Sequence, residues 1–429
     1  MRDIQHLDDF VLRLVLDRNI AGFRNFPLAT LNMSKSLAYH RHRCERFKGG
    51  GIQLAYHIWE GLTSDDTILD TVSGMSIEPQ NVEVTKMHAF VPKDEHDIMS
   101  TEIQKLLQKD VIRLSAPEQG EIISPIFLRE KQNGKFRLIL NLKKFNQNVD
   151  KIHFKMDTLQ SALDIISHGD FLTKIDISDA YYSVPINPEH RKYLKFKFDD
   201  VLYEYAVLPN GYRDGPRRFT KLLKPPLSVL RHLQLIITAY IDDLLHVNRS
   251  MEQCKVGALV IVSLLSSLGF TINPDKCVLQ PSQKIEYLGF IINTVDMTVT
   301  LTPEKIRALI DYCKWALDVD SMSIRCLAKL LGKITSSFNG VQYGPLHFRV
   351  LEHLKTEALE NNKYDYEKTV HLSSEARKEI VWWIKNLPTS FNRVRRPNPS
   401  IVIATDACGY GWGECCYKMW QVSTSRTLE

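Results

Sequence analysis

Residues Tyr240-Ile241-Asp242-Asp243 lie between two apolar, β-branched runs, Leu235-Ile236-Ile237-Thr238-Ala239 and Leu244-Leu245-His246-Val247. That pattern predicts a β-hairpin with two adjacent carboxylates at its turn. Like charges held this close are unfavourable unless cations neutralise them, so the turn points to divalent metal and phosphoryl transfer. An ordinary acidic turn is the plain alternative. What separates the two is whether another strand delivers a further carboxylate.

One does. Phe171-Leu172-Thr173-Lys174-Ile175-Asp176-Ile177 reads as a buried strand ending in an acid, and it runs on into Ser178-Asp179-Ala180-Tyr181-Tyr182-Ser183-Val184-Pro185. Two-metal nucleotidyl transfer needs carboxylates from separate strands, one ion acting on the attacking hydroxyl and the other on the leaving pyrophosphate. Asp176 with Asp242 meets that need, and Asp243 completes the cluster. Capping of a following helix is the competing role for Asp176.

Further segments fall in a recognisable order. Ser124-Pro125-Ile126-Phe127-Leu128 precedes Lys131-Gln132-Asn133-Gly134-Lys135-Phe136-Arg137-Leu138, whose Asn-Gly pair predicts a tight hairpin turn. Leu208-Pro209-Asn210-Gly211-Tyr212 comes between the two acidic sites. Leu268-Gly269-Phe270-Thr271-Ile272-Asn273-Pro274-Asp275-Lys276-Cys277 and Glu286-Tyr287-Leu288-Gly289-Phe290-Ile291 follow the hairpin. Six such segments in order over about 170 residues resemble the reverse transcriptases. Gly49-Gly50-Gly51-Ile52, Trp59 to Asp65, Ile68 to Gly74, His153 to Leu159 and Arg325 to Lys333 resemble the DIRS-like members, which belong to retrotransposons that integrate with a tyrosine recombinase.

The resemblance implies an α+β fold of the right-hand polymerase type, with fingers, palm and thumb and an antiparallel palm sheet. It implies an RNA-directed DNA polymerase that uses two Mg²⁺ or Mn²⁺ ions, held by Asp176, Asp242 and Asp243. Its partners would be an RNA or DNA template-primer and deoxynucleoside triphosphates. Lys131, Arg137, Asp179, Ala180, Tyr181, Asn210, Gly211 and Lys276 would line the nucleotide site. Backbone N–H groups from Ile177 to Ala180 would face the triphosphate. Tyr181 would exclude a ribose 2′-hydroxyl by bulk, with Tyr182 on the opposite face of the chain. Lys276 would donate a proton to pyrophosphate or contact phosphate, and Tyr287, Leu288 and Gly289 would grip the primer.

Asp214 departs from the family pattern. Facing the nucleotide it would repel phosphate unless Arg213 or Arg217 paired with it. Asp214 and the truncated C-terminal domain favour the alternative reading, a non-catalytic nucleic-acid-binding relic of a retroelement; the intact aspartates favour the enzyme.

Composition adds little specificity. The chain of 429 residues, 44% hydrophobic, is long enough for several subdomains, and its net charge of +5 suits a nucleic-acid partner without requiring one. Arg41, Arg43, Arg46 and Lys48 cluster, as do Arg191, Lys192, Lys195 and Lys197, and both sets would meet template-primer phosphates. The eight cysteines form no CxxC pair, so reduced thiols and no zinc ribbon are expected. No signal-peptide core or membrane-spanning run appears, which places the protein inside the cell, in cytoplasm or nucleus.

Four regions follow. Residues 1–85 form an extension of unassigned role, with an apolar start at Phe10 to Leu16; residues 86–300 form fingers and palm, opening with a helix from Glu95 to Gln108. Residues 301–391 form a helical thumb, its apolar stripes at Ile306, Leu309, Ile310 and Cys313 and at Leu327, Leu330, Leu331 and Ile334, with Ser323 as an N-cap. Asn392 to Ser400 reads as a linker. Residues 398–429 then resemble the truncated start of a ribonuclease H fold, a strand bearing Asp406. One carboxylate does not hold two metals, so this piece is not expected to cut RNA.

Overall fold

The computed structural model describes residues 13, 33–80, 95–130, 134, 136–395, 401–408 and 411–418. The apolar start expected at Phe10 to Leu16 and Lys131 of the first hairpin lie outside them.

A four-stranded antiparallel sheet organises the chain. Its strands are β4 (Phe171–Asp176), β7 (Ile236–Tyr240), β8 (Asp243–Asn248) and β9 (Val278–Ser282), in the order β7-β8-β4-β9. Side chains alternate across the sheet, and so do its cores. Ile175 and Leu244 join one apolar core, while Leu172, Leu245 and Val247 join a second on the opposite face.

The first core also takes in the N-terminal helices α1 (Met33–Glu45), α2 (Tyr56–Leu62) and α3 (Asp66–Gly74), the helix α4 (His96–Gln108), and the hairpins that follow. The α4 boundary falls within one residue of the sequence expectation. Strands β2 (Ile126–Glu130) and β3 (Phe136–Leu140) pair from Ile126↔Leu140 to Glu130↔Phe136. The hairpin expected there is formed, and Asn133 of its Asn-Gly turn lies outside the described residues. β5 (Lys195–Phe198) and β6 (Val201–Tyr205) form a sheet with β1 (Ile112–Leu114).

Residues 47–77 of the extension are built into this core. Trp59 is fully buried and its indole N–H donates to the Leu268 carbonyl at 3.1 Å. A Cβ on Gly51 would sit 2.7 Å from the Gly269 carbonyl oxygen, and one on Gly269 would strike the Gly51 backbone. Two chain segments cross here at a distance only glycine permits. Met75 bridges Ile186, and the N–H groups of Gly49 and Gly50 donate to the carbonyls of Lys109 and Tyr182.

Helices α5 (Leu159–Asp164), α6 (Gly215–Leu222) and α7 (Lys224–His232) pack around the sheet, and α8 (Met251–Ser267) crosses it. Helix α8 is buried on nearly all sides, so its sequence is apolar throughout rather than amphipathic. The hairpin of β10 (Lys284–Tyr287) and β11 (Phe290–Asn293) leads through β12 (Thr298–Leu301) into four helices, α9 (Pro303–Asp318), α10 (Ile324–Thr335), α11 (Arg349–Asn361) and α12 (Ser374–Asn386).

Ser323 caps α10 by accepting from the Cys326 N–H at 3.2 Å, and Leu327, Leu330, Leu331 and Ile334 are buried as their spacing indicates. On α9 the buried positions are Leu309, Cys313 and Ala316, whereas Ile306 and Ile310 are only half-buried. The expected linker is not wholly free: Asn392 and Arg393 add to β12 and Val394 is buried. Beyond it Ile401–Cys408 pairs antiparallel with Gly411–Lys418, placing Asp406 opposite Gly413.

Candidate active site

The hairpin turn is Ile241-Asp242, closed by pairing of Tyr240 with Asp243. Ile241 adopts φ 55°, a left-handed conformation costly for a β-branched residue, and the sheet on both sides holds it there. On the other edge of β8, Asp243 lies directly opposite Asp176. The Ile177 N–H donates to the Asp242 carbonyl at 3.0 Å, and the Asp176 N–H to the Cys277 thiol at 3.2 Å. Three acids from two strands are thus brought to one end of the sheet.

Their surroundings differ. Burial raises the Asp176 carboxyl to about 6; Lys276, whose Nζ is 3.5 Å from Asp176 Oδ2, opposes the shift, while Asp243 and Asp242 reinforce it. Asp176 Oδ1 is buried without a hydrogen-bond partner. Burial also raises Asp242, and repulsion from Asp243 adds to it. Asp243 instead turns toward Lys174, 3.2 Å from its Oδ1. Hence no group of three or more His, Cys, Asp or Glu side chains is gathered for a metal ion among the described residues. Asp243 Oδ1 also lacks a hydrogen-bond partner but faces the Lys174 ammonium, so Asp176, with its orphaned oxygen, and the desolvated Asp242 beside it are the acids here whose penalties a cation would relieve.

A cleft of about 480 Å³ opens in front of these two acids. Of the residues expected at a nucleotide site, Arg137, Asp179, Ala180, Tyr181, Asn210 and Lys276 line it. Gly211 and Asp243 are not among the lining residues. Lys109, at the end of α4, does line it and pairs with Asp179 at 2.7 Å. No sequence motif marks Lys109; only the packing of α4 brings it there.

The backbone after Asp176 is less open than expected. Ile177 N–H is taken by Asp242 and Ser178 N–H by the Thr271 carbonyl. Asp179 has φ 47°, and its N–H and that of Ala180 remain without an intrachain acceptor among the described residues. Successive N–H groups at a left-handed residue form an anion-binding concavity.

Ala180–Ser183 is a 3₁₀ turn rather than a strand, so Tyr181 and Tyr182 do not point to opposite faces. Both reach the cleft, Tyr182 being buried. Tyr181 is half-buried, its ring edge-on to Phe219 at 5.5 Å.

Asp214 is buried and lies outside the residues lining the cleft. Its carboxylate accepts from Arg217 Nη2 at 2.6 Å and Arg218 Nε at 3.0 Å, whereas Arg213 reaches the carbonyls of Asn146 and Val149. Several cations expected to meet phosphate are paired within the chain, Lys195 in the interior and Arg41 and Lys48 at the surface. Lys195 is fully buried against Glu118 and Glu121, Arg41 pairs with Asp275, and Lys48 with Asp110.

Tyr287 is buried, and its hydroxyl donates to the Asp243 carbonyl at 3.1 Å. Leu288 and Gly289 make the turn after it, at φ 50° and 74°. Lys305 of α9 lies across that turn, its Nζ 4.6 Å from the Phe290 ring centroid and 3.5 Å from the Leu288 carbonyl.

Residues 129–292 match the family model described as reverse transcriptase (RNA-dependent DNA polymerase). Polyprotein P3 of Commelina yellow mottle virus is 24% identical over 342 residues, covering 77% of this chain and 17% of that protein. The Gag-Pro-Pol polyprotein of squirrel monkey retrovirus is 29% identical over 211 residues, 46% of this chain and 11% of that protein. The chain thus spans less than a fifth of the length of these two relatives. The structure of the foamy viral protease-reverse transcriptase in complex with double-stranded DNA superposes with a TM-score of 0.60 at 19% identity, covering 80% of this chain and 69% of that one. Residues 129–292 are thus similar to the reverse transcriptase domains of retroviral and retroelement polyproteins, and the fold is the right-hand polymerase fold.

Proposed function

We propose that this protein is an RNA-directed DNA polymerase, extending a primer 3′-end with deoxynucleotides. The observation that carries the reading is the placement of Asp176 and Asp242, desolvated and side by side, at the floor of a cleft lined by Arg137, Lys109 and Lys276. Asp176 and Asp242 would hold two divalent cations, Mg²⁺ or Mn²⁺, whose chemistry there is to acidify the primer hydroxyl and offset the charge of departing pyrophosphate. Arg137 and Lys276 would orient the triphosphate, and the N–H groups of Asp179 and Ala180 would seat a phosphate oxygen. Tyr181 would set sugar selection, and the hairpin of Tyr287, Leu288 and Gly289 would hold the primer end. Asp243 would act through Lys174 and the turn.

We place the protein in retrotransposon replication, in cytoplasm or nucleus. The DIRS-like assignment is supported by the segments from Gly49 to Gly74, and the hairpin bearing Asp406 is compatible with the start of a ribonuclease H fold. No helix among the described residues is long and apolar enough to cross a membrane. One ground of the relic alternative was Asp214, and its charge is absorbed by Arg217 and Arg218.

The test is primer extension on an RNA template with Mg²⁺ or Mn²⁺. Wild-type protein should extend, and Asp242→Asn should not, while still binding template-primer. Extension by Asp242→Asn at the wild-type rate would remove the basis of the reading.

A further inference from the structure

We infer that Lys109 is a positioning residue for the nucleotide site: it draws the Asp179 carboxylate off the anion seat formed by the backbone of Asp179 and Ala180. The inference rests on the polymerase reading above and adds a residue to it.

Four observations meet at this point. Lys109 Nζ is 2.7 Å from Asp179 Oδ2, within the same cleft as Asp176 and Asp242. Asp179 is left-handed, and the two N–H groups at that bend have no intrachain acceptor among the described residues. Lys109 is itself fixed from two sides, since its carbonyl accepts from Gly49 N–H at 2.7 Å and its ammonium lies 5.4 Å from the Phe47 ring centroid. Finally, Asp179 is the one acid at the bend, and Lys109 is its one cationic partner among the described residues.

The chemistry of an unrestrained Asp179 is straightforward. Aspartate side chains readily accept hydrogen bonds from backbone N–H groups one or two residues on. An ionised carboxylate there would occupy the seat meant for a phosphate oxygen and would repel the triphosphate. Lys109 opposes both effects by holding the carboxylate in an ion pair. Its position is set by Gly49 and Phe47, so the N-terminal extension contributes to nucleotide binding without touching the nucleotide.

Three variants test this: Lys109→Met, Asp179→Asn and the double variant. The readouts are KM for a deoxynucleotide, kcat, template-primer affinity by fluorescence anisotropy, and melting temperature. Lys109→Met should raise KM roughly tenfold with kcat and template-primer affinity little changed, as expected for a competing charge of ordinary hydrogen-bond strength. Asp179→Asn should restore most of that loss in the double variant, because the competing charge is gone. A double variant as impaired as Lys109→Met would mean that Lys109 contacts the nucleotide itself, and would overturn the inference. An unchanged KM in Lys109→Met would overturn it too. Both results leave the polymerase reading intact; a wild-type protein inactive on every template-primer would overturn the two together.

Discussion

The Tyr287 hydroxyl donates to the Asp243 main-chain carbonyl, which ties the β10–β11 hairpin to the turn that carries the paired acids. The two segments are separated by the whole of α8, and Lys305 then fastens the same hairpin to the first helix of the C-terminal layer. A movement of that layer would be felt at Asp243.

Tyr287→Phe isolates this tie, since the ring stays and only one donor is lost. Such a hydrogen bond contributes about 1 kcal/mol, so the fold should survive. We expect kcat to fall roughly tenfold with nucleotide KM within about twofold, because Asp243 carries Asp242 beside it in the turn and a small displacement of that catalytic carboxylate is costly. Equal kcat values in single-turnover extension would show that the tie does not position Asp243.

Tyr181 offers a test of sugar selection. Exclusion by bulk depends on ring volume, so Tyr181→Phe should retain discrimination against ribonucleotides and Tyr181→Val should lose it. Since both tyrosines reach the cleft, Tyr182→Val is an informative control: its buried ring should cost stability first. The ratio of kcat/KM for a deoxynucleotide to that for its ribonucleotide decides the matter. Collapse of that ratio in Tyr182→Val alone would reassign the role.

Asp214→Asn separates a phosphate-repelling acid from a structural one. Breaking a buried pair leaves Arg217 with an uncompensated charge, at a cost of about 3 kcal/mol or more. The melting temperature should drop while nucleotide KM stays near wild type. A KM that improves instead would return Asp214 to the nucleotide.

Acid should weaken the fold through His246 and His40, both buried and pushed down to about 4, chiefly by burial. His246 Nδ1 donates to the Ile236 carbonyl at 2.9 Å, so the folded state binds the neutral ring. Unfolded histidine takes up a proton near pH 6.5. The stability from each is therefore present above pH 6.5 and is lost as pH falls toward 4, on the order of 3 kcal/mol per ring. Urea denaturation at several pH values should show this slope, shallower in His246→Gln. An identical slope in the variant would place the acid sensitivity elsewhere.

Much of the site was legible because short-range chemistry wrote it. Apolar runs flanking Asp242-Asp243 mark a hairpin, and the strand ending at Asp176 must pair nearby. The helix to Gln108 and the cap at Ser323 follow from periodicity and capping alone. What was not legible depends on long-range packing. Nothing near Lys109 says that it will face Asp179, 70 residues on. Lys195 sits in a basic run, yet Glu118 and Glu121 take it into the interior. The opposed faces expected of Tyr181 and Tyr182 failed because the chain turns into a 3₁₀ bend just after Asp179.

The crossing of Gly51 over Gly269 bears on how the molecule comes apart. A polypeptide beginning at Arg129, where the recognised family stretch begins, would lack Trp59, Val72 and Ile77 and leave their apolar slots open to water. Such an exposed surface is an invitation to aggregate rather than a smaller working enzyme. Upstream and downstream segments should therefore melt in one transition, and a swap of this domain between related elements would have to carry both sides of the glycine crossing together.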